Sequence, residues 1–228
     1  MILAVVGLQR EARIVAGNDV RAVIGGGDAT ALATRLEEAL SPGLEGVISF
    51  GVCGALAPAL RPGDLVVASA VRDGREKFQT NPAWTRAIIK HLQHAVSGSI
   101  AGSDIMLTMP EAKAALHASS GAVAVDMESH VAARFAAARG LPLAVLRAVS
   151  DGADHALPPA AQRGMRPDGS MDIGAVLAAL IADPRQLPAL IRTGIEAEKG
   201  FSALVHGHHL LGPALGFGEL GHHALDVT

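Results

Sequence analysis

The sequence predicts an α/β fold, a three-layer α/β/α arrangement around a largely parallel, mixed central sheet. Two observations carry this: short, continuously apolar runs alternate with helix-patterned segments, and acids or glycines follow several of those runs. Continuous apolar runs mark strands covered on both faces. The clearest unit spans 121–151. There GAVAV (121–125) and LPLAVLRAV (141–149) read as buried strands, and SHVAARFAAARG (129–140) reads as the helix between them. Glu128 and Asp151 stand just beyond the two strands. Ligands of open α/β sheets bind outside the carboxyl ends of the strands. Two acids there suggest one for hydroxyl groups and one for a proton. The plainer alternative is that each acid caps the segment that follows it.

The remaining elements follow in order. Residues 2–6 form a strand buried on both faces, and 20–24 form a second, ended by Gly25-Gly26-Gly27. Asp28 then stands at the N-cap of a helix over ATALATRLEEAL, with a stripe of Leu32, Leu36 and Leu40, stopped by Ser41-Pro42-Gly43. Residues 46–50 are a third strand running into a glycine-flanked turn, Gly51-Val52-Cys53-Gly54. Arg61-Pro62-Gly63-Asp64 is a turn before a strand at 65–71. The polar stretch 72–82 is expected to be a mobile loop near a site. A helix at 83–96, a strand at 99–101 and a helix at 110–119 lead into the 121–151 unit. The Pro- and Gly-rich stretch 157–172, with Arg163, Arg166 and Asp168, reads as a lid, and 173–181 and 188–205 read as helices. One domain over 1–205 is expected, followed by a His/Gly-rich apolar tail at 206–228 that holds five of the ten histidines.

Composition narrows the function. At 228 residues, 50% hydrophobic and 18% charged, the chain supports one sizeable core. A net charge of −3 with no basic stripe argues against nucleic acid as a partner. The single cysteine, Cys53, excludes an intramolecular disulfide framework and fits a reducing compartment. The opening apolar run ends at Gly7 without a basic flank, and no later run has the length of a membrane span. A cytoplasmic location, at most peripheral to a membrane, is the expectation.

Several residues are chemical candidates. The Gly25-Gly26-Gly27-Asp28 turn could cradle an anion through backbone N–H groups, with Gly26 as the contact, or be only a tight strand-to-helix turn. The glycine fingerprint of dinucleotide sites, the Walker lysine and the G-x-S-x-G elbow are all missing. Cys53 has no histidine in a recognisable arrangement and reads as a small buried hydrophobe. His206 and His209 have helix-compatible zinc spacing, but incidental histidines or an oligomer contact are the simpler reading, and no metal is assigned. Glu11, after Gly7-Leu8-Gln9-Arg10, is either a third carboxylate at the same sheet edge or an exposed acid opening a helix.

These residues make the chain resemble the nucleoside phosphorylase and nucleosidase superfamily that includes methylthioadenosine/S-adenosylhomocysteine nucleosidase. The likeness rests on the glycine turn and glutamate after the first strand, the small-residue turn at 25–28, GVCGAL (51–56) with RPGDLVV (61–67), VDMES (125–129) and RAVSD (147–151). Within it, MILAVVGLQREARI, VDMESHVAAR, LPPAAQRGMRPDGSMDIGAVLAAL, DPRQLPALIRTG and LLGPALGFGELG resemble the hopanoid-associated phosphorylases. The resemblance implies that Glu128 binds ribose hydroxyls over Met127 and that Asp151, next to Ser150, is the general acid for purine N7. It implies a base pocket at 103–107 with Met106 and Leu107, and further substrate contacts from Gly51, Val52 and Ser150. The implied substrate is adenosylhopane, a purine nucleoside linked to a lipid, with brief membrane contact assisted by the apolar tail at 210–225; the alternatives are a soluble methylthioadenosine/S-adenosylhomocysteine-type nucleosidase and a non-catalytic nucleoside-binding protein. No cofactor is implied, only phosphate as a co-substrate if the reaction is phosphorolysis. Hydrolytic members use a glutamate after the first strand to activate water, which Glu11 could do, although it sits one residue closer to Gly7 than is typical. Phosphorolytic members offer a hydroxyl where this chain has Val52, leaving Arg10, Arg13 and Arg147 as phosphate candidates. A homo-oligomer, most simply a dimer, is also implied.

Overall fold

The first strand shows how the layers form. Along Ile2–Val6 every residue is buried, and alternate side chains enter different cores. Leu3 and Val5 join one cluster with Leu32, Leu36 and Phe135, while Ile2, Ala4 and Val6 join another with Trp84, Ile88 and Leu204. A strand with both faces apolar needs helices on both sides.

The structure is a computed structural model and describes residues 1–164, 166 and 168–221. Its strands are β1 (Ile2–Val6), β2 (Val20–Ile24), β3 (Gly46–Ala55), β4 (Leu65–Asp73), β5 (Glu76–Gln79), β6 (Val96–Gly102), β7 (Ala124–Asp126) and β8 (Leu143–Asp151). Its α-helices are α1 (Gln9–Val15), α2 (Ala29–Glu38), α3 (Pro82–His91), α4 (Pro110–Ser120), α5 (Ser129–Ala138), the single turn α6 (Pro159–Gln162), α7 (Ile173–Ala182) and α8 (Leu187–Leu211).

The sheet is mixed, with helices on both sides. β2, β1, β3 and β8 run parallel in that order, so their carboxyl ends share one edge. β8 then pairs antiparallel with β4, β4 and β6 run parallel, and β7 links β6 back to β3. The sheet therefore curls until β3, β8, β4, β6 and β7 form a ring. β7 is short and antiparallel to β3, and it delivers the chain to Glu128 beside the ends of β1 and β3.

Four local expectations are corrected. No turn interrupts Gly51-Val52-Cys53-Gly54; β3 continues to Ala55, paired with β8 across a bulge at Cys53/Gly54. The stretch 72–82 is not a loop throughout. β5 pairs antiparallel with β4, from Ala70↔Gln79 to Asp73↔Glu76, as a polar edge strand whose Phe78 packs on the core. Leu40 is exposed, because α2 ends at Glu38 and Ala39 takes the buried place. Finally, the boundary at 205/206 falls inside α8. Leu211 and Leu215 are buried, and the Trp84 indole donates to the Leu215 carbonyl at 2.8 Å. Much of the expected apolar tail thus belongs to the core. His222 and His223 lie outside the described residues.

Candidate active site

Glu11 enters the site because α1 starts immediately after β1. Its side chain turns back and accepts hydrogen bonds from the N–H groups of Gly7 (2.7 Å) and Leu8 (2.8 Å), capping its own helix. The other oxygen accepts from Val52 N–H on β3 at 2.7 Å. Glu11 is 1% exposed, so it is no surface acid at a helix start. Burial pushes its pKa above the ordinary carboxylate value, against the opposing pull of Arg147 and the three amides.

Glu128 approaches from the other side. A Cβ on Gly7 would lie 2.9 Å from Glu128 Oε1, and one on Gly25 would lie 2.9 Å from Glu128 Cγ. The glycines after β1 and β2 therefore make room for this side chain. Two donors of the expected anion cradle are taken up within the fold: Gly25 N–H donates to the Val6 carbonyl (2.7 Å) and Gly26 N–H to the Gly7 carbonyl (3.0 Å). Gly51 serves the same purpose for Glu11, whose Oε1 lies 2.6 Å from where a Cβ would stand.

Arg147 ties the acids together. It is fully buried on β8, with Nε 2.7 Å from Asp126 Oδ2 and Nη1 3.4 Å from Glu128 Oε2. Its Nη2 donates to Ser49 Oγ at 2.5 Å and to Ser129 Oγ at 3.4 Å. Burial works against the charge, yet Asp126, Glu128 and Glu11 together hold its pKa above the ordinary value. Burial also pushes Glu128 up to about 8, with Arg147 opposing and Asp126 and Glu11 adding to the rise. Asp126 accepts from the Glu128 (3.1 Å) and Ser129 (2.8 Å) N–H groups, fixing the start of α5 and with it the Glu128 backbone.

Asp151 occupies a different setting at the end of β8. One oxygen accepts from Ser150 Oγ at 2.8 Å, and the other pairs with Lys113 Nζ at 2.5 Å. The bulge brings it beside Gly54, where a Cβ would lie 3.1 Å from Asp151 Oδ2. The segment 103–109 follows β6 here. Met106, Leu107 and Met127 are half-buried, and the Thr108 carbonyl accepts from Leu157 N–H at 2.9 Å, joining this segment to the one after Asp151.

The structure thus gathers Glu11, Gly51, Val52, Glu128 and Arg147, with Asp151 and Ser150 along the same sheet edge. Arg10 and Arg13 point elsewhere. Arg10 pairs with Glu198 at 2.6 Å and stacks on Phe201 of α8, and Arg13 is exposed beside His206 and His209. Sequence reasoning missed Asp126, Ser49, Ser129 and Lys113. Serines inside apolar runs were a usable signal; a lysine within a helix was not.

The segment expected to be a lid lies over this edge. Gln9 N–H donates to the Gly169 carbonyl at 3.0 Å, and a Cβ on Gly169 would meet Ile24 at 2.6 Å and the Gly7 carbonyl at 2.9 Å. The turn at 168–170 is therefore seated against the ends of β1 and β2.

Buried carboxylates and an arginine thus gather at the carboxyl edge of an α/β sheet, which is where ligands of such folds bind. Residues 11–182 match the family model of the phosphorylase superfamily, and the chain belongs to that family of enzymes. No curated relative matches the sequence. The fold is similar to the 5′-methylthioadenosine/S-adenosylhomocysteine nucleosidase of Neisseria meningitidis solved with methylthio-immucillin-A (TM-score 0.65, 15% identity, 94% of this chain and 97% of that one). It is also similar to the futalosine hydrolase of Helicobacter pylori (TM-score 0.64, 19% identity, 92% and 96%). A third similar structure is the nucleosidase of Colwellia psychrerythraea in complex with adenine (TM-score 0.60, 21% identity, 68% and 84%).

Proposed function

We propose that this enzyme hydrolyses the N-glycosidic bond of a purine nucleoside, and that its substrate is adenosylhopane. The observation that carries the hydrolytic reading is Glu11: a buried carboxylate held by three amides, its pKa raised by burial, beside Glu128 and Arg147. Such a group suits a general base. It takes a proton from water as the water oxygen bonds to C1′ and the C1′–N9 bond breaks. Glu128 accepts from ribose hydroxyls and steadies the oxocarbenium-like sugar. The electron pair leaves with the purine, and Asp151 supplies a proton to N7. No cofactor is required. Phosphorolysis is less well served, because Arg10 and Arg13 face away, Gly26 N–H is spent and Arg147 is engaged by carboxylates and serines.

The lipid-linked substrate is supported by the resemblance in sequence and by α7. This helix has no charged residue, and it exposes Ile173, Leu177 and Ile181 a few residues beyond the turn seated on β1. Such a surface suits contact with a bilayer while the head group reaches the site, which supports a location peripheral to the cytoplasmic face of a membrane. The family resemblance adds a homodimer, which sedimentation would test. The functional test is adenine release from adenosylhopane in detergent, with and without phosphate. Release independent of phosphate supports hydrolysis. Formation of a sugar phosphate overturns it. Preference for methylthioadenosine over the lipid nucleoside overturns the substrate assignment.

A further inference from the structure

We propose that His130 is a positioning residue for the purine: through Asp104 it holds the segment 103–107 in a fixed place relative to Glu128. This deepens the purine-nucleoside reading above and rests on it.

His130 is a polar side chain in the buried part of a largely apolar helix. α5 runs over SHVAARFAAA, and Val131, Ala132, Ala133, Phe135 and Ala136 all enter the core. His130 is buried as deeply, at 2% exposed, yet its Nδ1 has no hydrogen-bond partner among the described residues. A buried polar atom left without a partner weakens a fold, and an apolar side chain would avoid that loss. What the histidine adds is one directed bond. Its Nε2 donates to Asp104 Oδ1 at 2.9 Å, reaching a side chain otherwise open to solvent.

The segment that this bond reaches joins the two groups of carboxylates. It leaves β6 at Gly102, where a Cβ would run into the His130 side chain, so the end of the strand and the start of α5 touch directly. Ser103 N–H then donates to the Asp126 carbonyl at 2.9 Å, two residues before Glu128. Toward Asp151, Leu107 packs on the cluster of Leu56, Ala101 and Val125, and the Thr108 carbonyl accepts from Leu157 N–H. Between these anchors the Ser103 hydroxyl donates to the Ile105 carbonyl at 2.7 Å, a bond internal to the segment. Among the described residues, the bond from His130 to Asp104 is the one side-chain hydrogen bond that ties 103–107 to another element. The start of α5 thus carries both Glu128, for the ribose, and the tie two residues on. Half-buried Met106 and Leu107 give a flat purine ring an apolar surface on the stretch so held.

Freeing the segment should cost binding and spare the chemistry. His130→Phe keeps a ring in the same space and removes the donor. KM for adenosylhopane in detergent should rise about tenfold, and so should the Kd of adenine measured by calorimetry. kcat should change by no more than about twofold, the pattern of binding lost equally from ground and transition states. His130→Gln keeps a donor and should recover most of the affinity. Asp104→Ala should match His130→Phe, and the double variant should be no weaker than either single one, because both remove the same tie. Amide hydrogen exchange over 103–107 should quicken in His130→Phe and Asp104→Ala with no ligand present.

Unchanged KM and adenine Kd in folded His130→Phe would overturn the proposal, as would a loss confined to kcat or no recovery in His130→Gln. A packing role alone lowers Tm and the active fraction and leaves KM and Kd in place. Should wild type neither bind adenine nor release it, the nucleoside reading fails. Exchange over 103–107 then still judges whether His130 holds the segment, and unchanged exchange overturns that as well.

Discussion

The two groups of carboxylates at this sheet edge are held in opposite ways. On one side Glu11, Glu128 and Asp126 share a single buried arginine, so the acids outnumber the cation and burial raises the pKa of Glu11 and Glu128. On the other, Asp151 has an ammonium of its own. On the first side burial favours the protonated form of both glutamates. The second is an ion pair fixed in position. One sheet edge thus holds its carboxylates in two electrostatic settings, which differ in the number of cations each acid can reach.

The largest effects should come from breaking the fixed pair. Asp151→Asn should lower adenine release by two orders of magnitude or more, within the ~10²–10⁴-fold range of general acid–base groups. It should also strand Lys113, costing up to about 3–5 kcal/mol and lowering Tm in a thermal melt. A loss of activity with an unchanged Tm would show that Lys113 is not committed to Asp151. Next in size is Glu11→Gln. It keeps the shape and one acceptor oxygen, so the fold should persist while turnover falls about 10²–10⁴-fold. Near-normal turnover would remove Glu11 as the base.

Gly25→Ala tests the space around Glu128 rather than its charge. The new Cβ would press on Glu128 and on Leu32, whose Cδ2 would lie 3.2 Å away, at a cost of about 1–3 kcal/mol. KM for the nucleoside should rise, and an unchanged KM would show that Glu128 has slack. A finer probe is pH. Glu128 has its pKa raised from 4.5 to about 8 on folding, so its contribution to stability is full below pH 4.5 and is lost as the pH rises through about 8. Denaturant midpoints should fall over that window in wild type and fall less in Glu128→Gln. Parallel curves would mean that Arg147 compensates Glu128 fully.

The same contrast explains what the sequence revealed. Glu11, Glu128 and Asp151 were legible because each follows an apolar run, and strand ends collect at one edge in an α/β sheet. The runs at 2–6 and 20–24 were legible because every residue in them is apolar or stem-rich. Lys113 was not, because a lysine in a helix normally faces water, and only the tertiary meeting of α4 with β8 reverses that. The glycines at 25 and 51–54 read as turns because the side chains that need their space come from positions more than ninety residues away in Glu128 and Arg147, or from Glu11 on another element. β5 was missed because its polar residues suit an exposed edge as well as a loop. The histidine-containing end of α8 was placed outside the domain because glycines separate Leu211 and, beyond the helix, Leu215, which continue the core that Leu204 joins.

The smallest effect on the fold should come from the outer face of α7, far from both kinds of carboxylate. Ile181 is 81% exposed, so Ile181→Asp removes little packing and should change stability by no more than about 0.5 kcal/mol. Hydrolysis of a short, water-soluble nucleoside should be unaltered, since neither group of carboxylates is touched. What should drop is partitioning onto liposomes, and with it turnover of a lipid-linked substrate held in those bilayers, because a carboxylate on this face meets hydrocarbon or lipid head groups. Equal liposome partitioning by the variant and wild type would take α7 out of the membrane reading and leave the lipid assignment resting on sequence resemblance alone.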